Sequence, residues 1–322
     1  MLGGIDLTDA GLIDLFDGTR ELDELTAEAT RRGHSAARVS ELVTTLANAA
    51  ALDDATTPRH ARDVRRQPDL LSLSLLHREP GGANRVMGAR EHAGIEILGA
   101  GRVGATLAML LSAAGVGQVE LTDAGPVRQA DLAPGGVRSL GSRQVSRAEA
   151  TASLVSATST GGRATYAPPG PRPDSTVVLA PTGSVVPPEW LAQVRHRPHL
   201  PVVIRETTAT IGPFVLPGQT PCLRCVELGR GDRDPAWPVL AAQLIGERHV
   251  VEPCDVALAS TAASIAALHV LAWLDHGIDP PPPSIGGMLE LSLSDLRLRR
   301  RTIVAHPGCG CSAIDAAPLT YR

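Results

Sequence analysis

The chain has 322 residues, 43% of them hydrophobic, and a formal net charge of −4, enough apolar side chain for one large core or a core plus a small module. This slightly acidic balance excludes a protein that binds nucleic acid by neutralising phosphates, and the 2% aromatic content leaves Leu, Val, Ala and Ile to build the core. The first 19 residues are acidic and have neither the basic start nor the apolar run of a secretory signal. No apolar stretch reads as long enough to cross a bilayer, so the expected location is cytoplasmic, with no membrane partner and with reduced thiols.

Residues 1–55 read as a small helical module. Leu12, Ile13, Leu15 and Phe16 predict a first helix closed by Asp17-Gly18. Leu22, Leu25 and Ala29 predict a second, ended at Gly33, and Ser35 caps a third that carries Val39, Leu42, Val43 and Leu46. Residues 56–90 are polar and Arg-rich with Pro58, Pro68 and Pro80, and read as a linker around a short apolar island at 70–76. The body spans 91–322. Ile95–Leu98 predicts a strand, the segment from Ala105 to Ala114 a helix, and Val119–Thr122 a second strand reaching Asp123. Thr176–Ala180 and Pro201–Ile204 predict two more buried strands, with Trp190 and Leu191 on a helix between them. Helices follow over 237–244 and 257–273, then an antiparallel hairpin over 289–293 and 296–304. Strands alternating with helices imply a mainly parallel sheet covered on both faces.

Two motifs carry chemistry. Cys222-Leu223-Arg224-Cys225 and Cys309-Gly310-Cys311 supply four thiolates, the ligand set of a closed tetrahedral zinc site. A redox pair at Cys222/Cys225 is the competing reading, but a redox CxxC opens a helix right after a strand, and here the preceding 217–221 segment reads as a turn. Gly99-x-Gly101-x-x-Gly104 lies between a predicted strand and a predicted helix. There the first glycine allows a tight turn, the second close approach of a phosphate, and the third close helix packing. Asp123, at the end of the next strand, is where a ribose-binding acid belongs. The alternative is a fold that keeps its glycines for packing and binds no nucleotide.

Other residues have lesser readings. Cys254 precedes a predicted helix, and is either a buried thiol or an activated one. His306 is an alternative metal ligand, while His196 and His199 read as loop residues. Arg230, Asp232, Arg233 and Asp234 read as a mixed-charge loop, either a solvated ion-pair network or a docking surface, with Trp237 as a packing anchor.

From Gly94 to Cys311 the glycine fingerprint, Asp123 and the two cysteine pairs resemble the ThiF/E1 adenylating superfamily. The resemblance implies a Rossmann-type doubly wound α/β fold with structural zinc. It also implies ATP and Mg2+ used to activate a peptide or carrier C-terminus, with Gly99, Gly101, Gly104 and Asp123 holding ATP. The chain departs from that pattern. Asp131 stands where the family has Asn, Arg138 where it has Arg, and Arg147 where a phosphate-binding Lys belongs. The strand ending at Ala180 runs into Pro181-Thr182-Gly183, with no acid for magnesium. Arg147 carries a planar fork and differs in shape from Lys, and a missing metal ligand weakens phosphoryl chemistry.

A narrower similarity covers Pro221–Cys225, the Asp131–Gly136 stretch, Arg230, Asp232–Pro238 and His306–Cys311. These look like the actinobacterial ThiF-like partner proteins of azoline-forming YcaO cyclodehydratases, which serve bacteriocin and thiopeptide biosynthesis. That resemblance implies a non-adenylating fold that grips a precursor's leader peptide and presents its core to the cyclodehydratase. It also implies a winged-helix-like N-terminal module, which Leu15–Arg20 and the following helices resemble. The β-ribbon to which leaders add a strand is nearly absent, since only residues 2–7 precede the first helix. Homodimerisation is a further family expectation. Two functions from different classes therefore stand: a leader-binding partner protein, and an active adenylyltransferase in which Arg147 neutralises phosphate. An NAD-linked enzyme is disfavoured by the zinc pairs and by the lack of a hydride-transfer arrangement.

Overall fold

A computed structural model describes residues 9–49, 51–52, 64–138, 145–158, 163–166, 175–246 and 253–313. The chain divides into two units, Met1–Ala89 and Arg90–Arg322.

In the first unit α1 (Ala10–Ile13), α2 (Leu22–Arg31) and α3 (Ala36–Asn48) follow the predicted apolar stripes. Leu12, Leu15, Leu25, Ala29, Val39, Leu42 and Leu46 meet in one cluster. Ser35 accepts the Arg38 N–H at 3.2 Å, as an N-cap should. The buried Asp9 carboxylate accepts from Arg38 Nε at 2.9 Å, joining the start of α1 to α3. The stretch read as a linker holds two helices, α4 (Gln67–Leu76) and α5 (Gly82–His92). Pro68 misleads here, because proline in a first turn removes no intrahelical bond. The 2–7 ribbon remnant lies outside the described residues, and among those described this unit contains no strand.

The second unit is built on an eight-stranded sheet of order β3-β2-β1-β4-β5-β6-β7-β8. Its strands are β1 (Gly94–Leu98), β2 (Gln118–Thr122), β3 (Arg163–Tyr166), β4 (Thr176–Leu179), β5 (His199–Arg205), β6 (Thr208–Ile211), β7 (Gly287–Ser292) and β8 (Leu298–Thr302). The pairs among β1 to β5 are parallel, and β5 to β8 pair antiparallel. The predicted hairpin is β7–β8. β3 and β6 carry no clear sequence signal. β3 is four residues of mixed polarity, and β6 returns from β5 through Glu206-Thr207, a two-residue turn without the usual Gly or Asn. Glu206 takes the left-handed conformation (φ 51°) that such a turn requires.

Side chains alternate across the central strands. Ile95, Ile97, Val178, Val202 and Ile204 join one core, whereas Leu98, Val177, Leu179 and Val203 join another. Burial on both faces is what makes these strands apolar runs. The first face is covered by α6 (Arg102–Ala113) and α11 (Val256–His276), the second by α8 (Pro188–Val194) and α9 (Leu223–Arg233). α7 (Arg147–Thr158) and α10 (Trp237–Gly246) complete the helices of this unit among the described residues. By length and composition α11 is apolar enough to cross a membrane, which corrects the sequence expectation. Its Ala262, Ala263, Ala266, Val270 and Trp273 are buried in the first core. Strand order reverses between β1 and β4, so their carboxyl ends flank the crevice where open α/β sheets take ligands.

Candidate functional site

The two cysteine pairs converge. Cys222 is the N-cap of α9 and Cys225 sits in its first turn, so three-residue spacing puts both sulfurs on one side. The CxxC opens a helix, but after the turn at 217–220 and not directly after a strand. Distances add to that local argument. Cys222 Sγ lies 3.6 Å from Cys309 Sγ, and Cys225 Sγ lies 3.4 Å from Cys311 Sγ, both closer than the 4.0 Å between Cys222 and Cys225. All four sulfurs fall within 4.8 Å of one another. A tetrahedral Zn–S distance of about 2.3 Å implies sulfur separations of about 3.8 Å, so this group can hold a metal ion, and four soft ligands suit zinc. The Cys309 N–H donates to His306 O at 2.9 Å, turning the chain so that Cys309 and Cys311 face the helix. Burial, reinforced by the other thiols, pushes Cys311 up to about 12.

The three histidines considered lie outside the group of four cysteines. His306 Nε2 bonds Asp232 at 2.8 Å and its Nδ1 accepts the Gly308 N–H at 3.0 Å, so both ring nitrogens are engaged. His199 is not in a loop. It opens β5, is buried, and donates Nδ1–H to Arg197 O at 2.8 Å; burial brings it down to about 4. His196 lies in the turn after α8. Burial pushes the Cys254 thiol up, against the pull of Arg102, the opposite of an activated nucleophile.

The glycine turn has the expected backbone. Gly99 follows β1 at φ 97°, and a Cβ there would lie 2.0 Å from Ala180 O. A Cβ on Gly104 would lie 1.9 Å from Gly99 O, and one on Gly101 would lie 2.7 Å from Thr182 Cγ2. Packing within the protein alone therefore requires Gly99 and Gly104. Asp123 is already bonded on both oxygens. Oδ2 accepts the Ala100 N–H (2.9 Å) and Arg147 Nε (2.9 Å), and Oδ1 accepts the Gly125 N–H (2.8 Å) and Arg147 Nη2 (3.2 Å). Arg147 Nη1 reaches Asp131 Oδ2 at 3.5 Å, and all three side chains are 12% exposed or less. Burial opposes the Arg147 charge, but Asp123 and Asp131 outweigh it and hold the guanidinium above its ordinary value. Arg138 is exposed and lies beside residues 139–144, which are outside the described set.

No family model matches the sequence, and no curated protein matches it. Solved structures do match. E. coli MccB with MccA-N7isoASN aligns at TM-score 0.64 and 15% identity over 85% of this chain and 81% of that one. The microcin C7 biosynthetic enzyme MccB in complex with N-formylated MccA aligns at 0.64 and 14% over 94% and 90%. PaaA aligns at 0.67 and 18% over 90% and 99%. The chain has the ThiF/E1-like fold.

Within this ThiF/E1-like fold the sequence-predicted residues form two separate groups, the four cysteines and the Gly99–Asp123–Arg147 crevice. The mixed-charge loop is the last turn of α9, and Trp237 begins α10. Sequence reasoning missed what surrounds Trp237. Its Nε1–H donates to Glu227 Oε2 at 2.6 Å, and Arg205 and Arg230 lie 5.5 and 5.1 Å from its ring centre. The available signal was Arg205, a cation directly after the apolar run 200–204 of β5.

Proposed function

We propose that this chain is a non-adenylating partner protein in ribosomal peptide maturation, binding a precursor's leader peptide and presenting it to a YcaO-type cyclodehydratase. The observation that carries this reading is the Asp123–Arg147 ion pair. A carboxylate that accepts four hydrogen bonds from protein has little left to offer a ribose, and a guanidinium held by two carboxylates is drawn away from phosphate. β4 also runs into Ala180-Pro181-Thr182, which offers no carboxylate to magnesium. In this reading Cys222, Cys225, Cys309 and Cys311 hold a structural zinc that fastens the C-terminal segment to α9. The first unit serves as a winged-helix-like recognition module, and the protein works in the cytoplasm. The solved neighbours add weight to a peptide-directed role, since MccB has been crystallised with the MccA peptide.

A second reading, an ATP-dependent adenylyltransferase, is favoured by one observation: MccB is named a biosynthetic enzyme and has also been crystallised with ATP. Calorimetry with ATP across millimolar magnesium, plus ATP–pyrophosphate exchange with the precursor peptide present, separates the two. The partner reading expects neither binding nor exchange, together with measurable affinity for the leader. Exchange that is abolished in Asp123→Ala overturns it.

A further inference from the structure

The four cysteines are placed to react with one another as well as to hold a metal. A cavity of about 550 Å³ opens between α8, α9 and the segment leading into α9, and Cys222, Cys309 and Cys311 are in its lining. Cys222 and Cys311 are half-buried, whereas Cys225 and Cys309 are buried. Each accessible sulfur has a buried sulfur close by, and that neighbour belongs to the other pair. Cys222 Sγ lies 3.6 Å from Cys309 Sγ, and Cys311 Sγ lies 3.4 Å from Cys225 Sγ. The two sulfurs of the CxxC are farther apart, at 4.0 Å. A disulfide needs about 2.05 Å, so each cross pair has about 1.5 Å to close, which a side-chain rotation supplies. An accessible thiol with a resolving thiol beside it is what reversible oxidation requires.

We propose that this cluster is an oxidation site at which a hydroperoxide joins Cys222 to Cys309 and Cys225 to Cys311. At each pair the accessible sulfur attacks the peroxide O–O bond, becomes a sulfenic acid and releases one water. The buried thiol then attacks that sulfur, and its proton leaves with the hydroxyl as a second water. Two thiols are oxidised and one peroxide is reduced for each disulfide formed. The step uses thiols alone, so it shares its residues with the proposed zinc site without depending on zinc. The bridges span 87 and 86 positions of the chain. They constrain the unfolded state more than a disulfide within the CxxC would, and they keep the C-terminal segment on α9 after metal is lost.

The test is peptide mapping of the full zinc-loaded chain after treatment with hydrogen peroxide and blocking of free thiols. Trypsin cuts after Arg224, between the two cysteines of the CxxC, and leaves Cys309 and Cys311 on one peptide. Cross-pairing therefore yields one species made of peptides 206–224, 225–230 and 302–322. Fragmentation at Gly310 assigns each link. Cys222→Ser should keep 225–230 joined to 302–322 and free 206–224. A chelating dye should record one zinc released for every two disulfides, and the oxidised metal-free chain should melt several degrees above the reduced metal-free chain. Local pairing, seen as 206–224 joined to 225–230 with an internal bridge in 302–322, overturns the proposal. So do sulfinic acids in place of disulfides, or equal melting of the two metal-free forms. A chain that holds no zinc before oxidation counts against the metal reading, and the same peptide map still decides this one.

Discussion

The cysteine cluster and the glycine-turn crevice belong to the same unit and were equally visible as motifs, yet their reactive atoms stand in opposite conditions. At the cluster four sulfurs point at a common centre, with separations that suit a single ion. At the crevice the backbone keeps the shape of a phosphate-binding turn, but Asp123 and Arg147 are bonded to each other. A site is defined by the valences it leaves open as much as by the residues it contains. The first region has four open valences, and the second has closed its own.

The largest expected effect is at the cluster. Cys309→Ser with Cys311→Ser, or stripping by a chelator, should take bound zinc from one per chain to none by mass spectrometry. The second unit should lose at least about 4 kcal/mol, because metal binding there contributes to folding. A chelated protein with an unchanged thermal midpoint would remove the cluster's claim to be a metal centre. Next is Asp123→Ala, which leaves Arg147 buried with only the 3.5 Å contact to Asp131 and should cost about 3 kcal/mol in urea denaturation. A neutral result would mean that the crevice is open after all.

A third effect appears only with acid. His199 falls from an ordinary 6.5 to about 4 in the folded chain, so below 6.5 the unfolded state takes up the proton first. Stability is full above about pH 6.5 and declines by up to about 3 kcal/mol as pH falls towards 4. The difference between wild type and His199→Gln, followed from pH 7 to 4, isolates that contribution. The smallest effect sharpens the contrast from the other side. Gly104→Ala drives a methyl against the Gly99 carbonyl and should cost about 2 kcal/mol whether or not nucleotide is added. Loss of a ligand affinity without loss of stability would show that the glycines serve a ligand.

Much of this could be read from residue order. The apolar runs of β1, β4 and β5 announce strands buried on both faces, and the CxxC and CxC announce a shared centre because four identical ligands admit few other uses. β6 was hidden because Glu206-Thr207 carries no turn signal and is held by pairing on either side of it. α4 was hidden because Pro68 is harmless in a first turn. The state of Asp123 was hidden for a different reason. Arg147 lies 24 positions away, and its place in the sequence pattern points to phosphate and not to Asp123. Periodicity and ligand spacing are local and are written along the chain. Which donor satisfies which acceptor is settled when distant side chains are packed out of water, where an unpaired charge is too costly to keep. The paired Asp123 and the meeting of cysteines from distant pairs are both outcomes of that packing.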